Sequence, residues 1–135
     1  MYEKLAEYFA QKFKGGKIIE IGVGFNFKAA LKLKELGFEI LVVDWNPKAV
    51  KRARELELDA VVDDIFNPKL GIYKDADAIY SIRPTPEMMP YLVKLARIVK
   101  VPLYLIPFST DAVPKGMKLE NYKGLAIYKL EAKDI

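Results

Sequence analysis

The chain has 135 residues, 52% of them hydrophobic, with 22 Lys and Arg against 18 Asp and Glu and a net charge of +4. That is one domain's length with enough apolar content for a buried core, so global disorder and a second independent core are excluded. Histidine and cysteine are both absent, which excludes an internal disulfide, a Cys nucleophile, a Cys/His zinc site and a Ser-His-Asp triad.

Tyr2, Leu5, Phe9 and Phe13 recur at spacings of three and four, predicting an amphipathic helix over 2–14 that Gly15-Gly16 ends. Lys17 to Ile21 reads as a strand, Phe27 to Leu36 as a helix closed by Gly37, and Phe38 to Asp44 as a buried strand. Asn46-Pro47 is an N-cap followed by a first-turn proline, opening a helix to about Leu56 that buries Ala49, Val50, Ala53 and Leu56. A short strand over 59–63 precedes a loop or brief helix around Asn67-Pro68, and Asp77 to Ile82 is the next strand. Thr85-Pro86-Glu87 carries the signals of a helix start, and that helix buries Met88, Tyr91, Leu92, Leu95 and Val99. Val101 to Ile106 is a strand, and Met117 to Glu131 is a strand pair turning near Lys123-Gly124.

Continuous apolar strands alternating with helices imply an α/β fold: a doubly wound, mostly parallel sheet with a short antiparallel C-terminal strand pair. The expected organisation is a single domain over 1–135, with an N-terminal helix (1–16), a parallel core (17–106) and C-terminal strands (107–135). The longest apolar run, Val101 to Phe108, is far short of the ~18 residues of a membrane span. The acidic, amphipathic N-terminus does not read as a signal peptide. A cytoplasmic protein without a membrane partner is expected. Abundant lysine with a single glutamine fits proteins of hot environments. The mild positive charge allows an anionic ligand or a weak nucleic-acid contact and demands neither.

Ligands of such sheets bind beyond the C-terminal strand ends. The first strand ends Glu20-Ile21-Gly22-Val23-Gly24, the second at Asp44-Trp45, the third at Asp63-Asp64-Ile65 and the fourth at Ser81-Ile82-Arg83-Pro84. Carboxylates buried at strand ends cost free energy unless they are paired, so acids repeated there suggest a ligand rich in hydroxyl and amine donors. Gly22 permits a tight turn and Gly24 a close backbone approach. The dinucleotide fingerprint GxGxxG needs a small residue where Phe27 stands, which disfavours an NAD or FAD enzyme. Asp44 lies twenty residues past Gly24. A carboxylate there can accept from both hydroxyls of a ribose, against the alternative that it starts a turn and pairs with a lysine.

Ile18-Ile19-Glu20-Ile21-Gly22-Val23-Gly24 resembles the first motif of Rossmann-like S-adenosylmethionine-dependent methyltransferases, Leu41 to Pro47 their second and Asp63-Asp64-Ile65 their third, in the same order. The chain also looks like a member of a small uncharacterised archaeal family with that fold. The resemblance implies that Glu20, Gly22 and Gly24 hold the methionine part of the cofactor. It implies that Asp44 binds the ribose hydroxyls, that Trp45 packs on adenine, and that Asp64 and the Ile65 N–H face the adenine edge. Ser81 and Arg83 fall on the substrate side. Two readings of Arg83 stand side by side: a clamp for phosphate or carboxylate, or an ion pair with Glu87 or an acid of the third strand.

Asp63-Asp64 could ligate Mg²⁺, but adjacent strand residues face opposite ways, so one of them enters any one site. Phe27 and the N-terminal tyrosines are assigned to packing, and Lys12, Lys14, Lys17, Lys28, Lys32 and Lys34 to a solvated face. The leading expectation is an S-adenosylmethionine-binding protein, a methyltransferase of unknown acceptor. The alternative is a non-catalytic assembly or regulatory subunit, a partner subunit or homo-oligomer, motivated by the short chain and by the absence of a helix between strand five and the final strands.

Overall fold

Alternate residues of each short apolar strand feed opposite faces, so the sheet needs cover on both sides. In the computed structural model, which describes residues 1–135, helix α1 (Tyr2–Lys12) precedes strand β1 (Lys17–Ile21). The chain then alternates through α2 (Lys28–Glu35), β2 (Glu39–Asp44), α3 (Pro47–Glu55) and β3 (Asp59–Val62). A single 3-10 turn at Leu70–Ile72 leads to β4 (Ala78–Ile82), α4 (Met88–Val99) and β5 (Leu103–Ile106), and β6 (Lys118–Tyr122) and β7 (Leu125–Leu130) form the C-terminal hairpin.

The strand order is β3-β2-β1-β4-β5-β7-β6. The first five strands pair in parallel, and β7 runs antiparallel to both its neighbours. The fold is therefore the expected mostly parallel α/β sheet with an antiparallel C-terminal pair. Strand order reverses between β1 and β4, which opens a crevice at their C-terminal ends.

Ile18, Val42, Tyr80 and Tyr104 pack with Leu5, Phe9 and Ala30 under α1–α3. Ile19, Ile21, Val43 and Leu103 pack with Met89, Leu92 and Leu95 of α4. The second face is thinly covered, because Leu70–Ile72 replaces one crossover helix and residues 107–117 form no helix before β6. No helix is long and apolar enough to cross a membrane. The hairpin is tied to α1 by charge: Lys12 pairs with Glu131 at 2.8 Å, and Lys129 bridges Glu120 at 2.9 Å and Glu131 at 3.0 Å. The Tyr8 hydroxyl donates to Glu120 at 2.8 Å. Lys123 (φ 50°) and Gly124 (φ 88°) turn the hairpin with both residues left-handed, the geometry that matches strand twist in a two-residue loop.

Three sequence expectations shift. Helix α4 starts at Met88, because Thr85 does not cap it; the Thr85 carbonyl accepts the Met88 N–H at 3.0 Å and residues 85–87 make a separate turn. The buried face consequently runs through Met89, Leu92, Leu95 and Ala96, leaving Tyr91 42% exposed and Val99 half-buried. Leu56 is half-buried just beyond α3, and α1 ends at Lys12, where Phe13 turns extended.

Candidate functional site at the ends of β1 to β4

Gly22 (φ 77°) and Gly24 (φ 58°) both occupy the left-handed region. At Gly22 space is also tight, since a Cβ would lie 3.2 Å from the Met88 methyl carbon, which would have to give by a few tenths of an ångström. The Gly22 N–H donates to the Val43 carbonyl at 2.8 Å, fastening the turn to the end of β2. Asp44 is buried there, its Oδ2 accepting the Gly24 N–H at 2.8 Å and its Oδ1 the Asn46 N–H at 2.9 Å. Asn46 in turn caps α3 by accepting from the Lys48 N–H at 3.0 Å. Asp44 thus sits where two backbone donors hold its carboxylate, and each oxygen keeps acceptor capacity for a further hydroxyl.

A cavity of about 480 Å³ opens above these strand ends, and Gly22, Asp44, Trp45, Asp64 and Ile65 all line it. Trp45 is 74% exposed at its rim. Asp64 is exposed and accepts the Phe66 N–H at 2.9 Å, and the Ile65 N–H has no partner in the chain. Asp63 borders the same cavity, contrary to the strict alternation expected of adjacent residues, because β3 ends at Val62 and the pleat stops there. The Asp63 carboxylate is occupied by the Tyr73 hydroxyl at 2.6 Å and the Lys69 N–H at 3.2 Å.

A smaller cavity of about 200 Å³ meets the first at Gly22 and is lined by Glu20, Tyr2, Asn26 and Arg83. Glu20 Oε1 accepts the Tyr80 hydroxyl at 2.7 Å, and its other oxygen makes no hydrogen bond. Burial pushes the Glu20 carboxyl up to about 8; the Tyr80 bond opposes that shift and the Asp44 charge adds to it. Burial and the Glu20 charge hold the Tyr80 phenol well above its ordinary range.

Ser81 and Gly24 line neither cavity. Ser81 is buried, and its hydroxyl donates to the Ile21 carbonyl at 2.7 Å, joining β4 to the end of β1. Arg83 is exposed, makes no ion pair with Glu87 or any other acid, and lies over the Phe108 ring at 4.9 Å. Phe27 is in the core. Sequence reasoning missed the Phe66–Tyr91 edge-to-face pair (4.8 Å between ring centroids), whose Phe66 forms a cavity wall with Thr85 and Met88. It also missed Tyr80 as the partner of Glu20; the signal was register, since Glu20 and Tyr80 are opposed across β1 and β4.

The strand order, the glycine turn and the carboxylate that ends β2 define the class: a Rossmann-like methyltransferase fold. The chain is similar to a TehB-like SAM-dependent methyltransferase from Corynebacterium glutamicum, with a TM-score of 0.67 and 19% identity over 94% of this chain and 86% of that one. It is also similar to magnesium protoporphyrin IX methyltransferase from Synechocystis, solved with bound SAM, with a TM-score of 0.66 and 12% identity over 95% and 75% of the two chains. The CcbJ methyltransferase of Streptomyces caelestis gives a TM-score of 0.66 at 14% identity, and this chain covers 90% of itself but 55% of that protein. At these identities the likeness is one of fold.

The chain belongs to the uncharacterised protein family UPF0146, whose pattern matches residues 2–132. A UPF0146 protein of Pyrococcus horikoshii is 59% identical over 128 residues, covering 95% of this chain and 98% of the relative. One from Methanocaldococcus jannaschii is 41% identical, covering 89% and 87%.

Proposed function

We propose that the chain binds S-adenosylmethionine, or its demethylated product, across the ends of β1, β2 and β3 and acts as a methyltransferase. The observation that carries this reading is the buried Asp44 carboxylate, fixed by the Gly24 and Asn46 N–H groups and facing a cavity large enough for a nucleoside. The donor set suits the ligand. Asp44 has acceptor capacity for ribose hydroxyls, Trp45 offers an exposed aromatic face, and Asp64 with the unpaired Ile65 N–H offers an acceptor and a donor to a base edge. Glu20, with one free oxygen in the adjoining cavity, faces the space the amino-acid end would occupy. The cofactor supplies a methyl group already activated on a sulfonium, so the chain's own task is positioning rather than proton transfer, which a site without histidine can perform.

The test is titration with S-adenosylmethionine and S-adenosylhomocysteine, by calorimetry and by the emission of Trp45, the one tryptophan of the chain. Saturable heat with a change in emission is expected. No heat at millimolar ligand with folded protein would sink the reading.

A second reading, a non-catalytic assembly subunit, is favoured by the thin cover on the α4 side, where Phe66, Tyr91 and Ile98 are 49%, 42% and 51% exposed. Mass measurement in solution discriminates, because a monomer that turns over a methyl acceptor contradicts it.

A further inference from the structure

Arg83 joins a left-handed backbone to a side chain with no acidic partner. Its backbone is left-handed (φ 51°) without being glycine, a conformation that costs free energy and that the surroundings must impose. Its N–H donates to the Ile106 carbonyl at 2.6 Å, a ladder bond that carries the β4–β5 pairing one residue past Ile82, so the left-handed turn falls directly at the strand end. The guanidinium lies over the Phe108 ring, an arrangement that fixes its plane and leaves its N–H edge pointing outward. None of those N–H groups is hydrogen-bonded within the chain, and no carboxylate pairs with them. The donor fork of Arg83 has no acceptor within the chain.

Arg83 also stands between two spaces. One is the small cavity that contains Glu20. The other is a recess of about 440 Å³ between the segment after β5 and the β6–β7 hairpin, walled by Ile106, Pro107, Leu125 and Tyr128. That volume is in the range of small-molecule sites and too small for a folded partner. Its walls are mainly apolar. Its lining residues bring two cationic groups, the Arg83 guanidinium and the Met1 α-amino group, and one carboxylate, Asp111, a balance that suits a monoanion. A dianionic phosphate entering there would meet Asp111 as well as Arg83. A monoanionic carboxylate matches the guanidinium fork and leaves less repulsion.

We propose that this recess binds a small carboxylate with an apolar, ring-sized body, gripped at its charged end by Arg83. The proposal rests on the methyltransferase reading only for the role of this ligand as the acceptor; the binding itself is independent of the cofactor.

The test uses 3-phenylpropionate as probe on the full chain without cofactor, followed by calorimetry and by amide chemical shifts. Neutral 3-phenylpropionamide and phenyl phosphate serve as comparisons. Saturable binding is expected, with shifts at Phe108 and Ala126, weaker binding of phenyl phosphate and none of the amide. Arg83→Gln should weaken binding by about tenfold or more, the size expected for losing a charge-assisted fork. Arg83→Gly removes the same group while relieving the backbone, so it gives the same loss in a protein that folds at least as well. The inference is overturned if the carboxylate fails to bind at millimolar concentration, if the amide or the phosphate binds as tightly, or if both Arg83 variants bind like the parent. S-adenosylhomocysteine is titrated into the same samples. Its binding without that of the carboxylate overturns this inference alone, and the reverse supports it while removing the cofactor reading.

Discussion

The two halves of the ligand-facing sheet edge are constructed on opposite plans. At the ends of β1 to β3 the polar groups are held mainly by one another: Asp44 by Gly24 and Asn46, Asp63 by Tyr73 and Lys69, and Glu20 by Tyr80. Little can move there without breaking hydrogen bonds in a buried setting, so that half is preorganised for one ligand shape. At the ends of β4 to β7, Ser81 is spent on the Ile21 carbonyl and the main polar offering is the unpaired Arg83, beside a loop that forms no helix. One half is a hydrogen-bonded socket, and the other is a single cation beside an apolar recess.

The sharpest way to break this contrast is Asp44→Ala. It should reduce S-adenosylhomocysteine affinity by about a hundredfold, as expected when two hydrogen bonds to a charged acceptor are lost. It should also lower folding stability by about 1–3 kcal/mol, since the Gly24 and Asn46 amides lose their acceptor. Normal binding by a folded Asp44→Ala protein, measured by calorimetry, would mean that the hydrogen-bonded half is not the cofactor half.

Glu20→Gln sharpens the contrast through pH. The folded-state carboxyl titrates near 8 because it is buried, whereas an unfolded glutamate titrates near about 4.3. The folded form therefore holds the proton more tightly. The stability this group contributes is complete below about pH 4.3 and is lost as pH rises toward 8. Glutamine is neutral throughout, so the variant should gain on the parent between those limits and hold a constant advantage above 8. Denaturant midpoints at pH 5, 7 and 9 check this, and a pH-independent difference would show that Glu20 is not buried as described. For the same reason, a ligand ammonium that ionises Glu20 should release a proton on binding below pH 8. Calorimetry in buffers of different ionisation enthalpy reads that release.

Smaller effects come from the other half. Arg83→Gly should raise stability by about 1 kcal/mol by removing a left-handed non-glycine residue, read as a higher midpoint in urea. Lys129→Met should cost under about 1 kcal/mol at 25 °C, because half-exposed ion pairs are screened, and more near the unfolding temperature, where networks gain weight. Equal losses at both temperatures would contradict a network role.

Much of the hydrogen-bonded half was legible in the sequence, because its parts are local: a glycine turn, a carboxylate at a strand end and a cap with a proline. Asn46 and Pro47 specify the start of α3 within a few residues of chain, and the structure shows the cap they predict. What escaped reading depends on register or competition. Glu20 meets Tyr80 across 60 residues, through a strand pairing that no local pattern announces. Thr85-Pro86-Glu87 has every mark of a helix start, yet the Thr85 carbonyl takes the Met88 N–H and makes a turn first. That delay moves the buried face from Met88 to Met89 and frees Tyr91 to meet Phe66. The resemblance put Ser81 on the substrate side, and its place on β4 directs its hydroxyl to the neighbouring Ile21 carbonyl, a contact that depends on register. Arg83 had a plausible partner in Glu87 by proximity in sequence, and only the left-handed turn shows that the side chain goes elsewhere.

Chain order and sheet order part company at the C-terminal hairpin. β7 lies between β5 and β6, and its residues 125–130 follow everything they pair with. While the chain is being synthesised, β5 therefore stands as a bare edge, its outer backbone groups unpaired, until residues 125–130 have emerged. The clamp of Lys12 on Glu131 must wait as well. Closure of this sheet waits for β7, and a nascent chain stalled after β5 and before residue 125 would carry an open template for pairing with its neighbours.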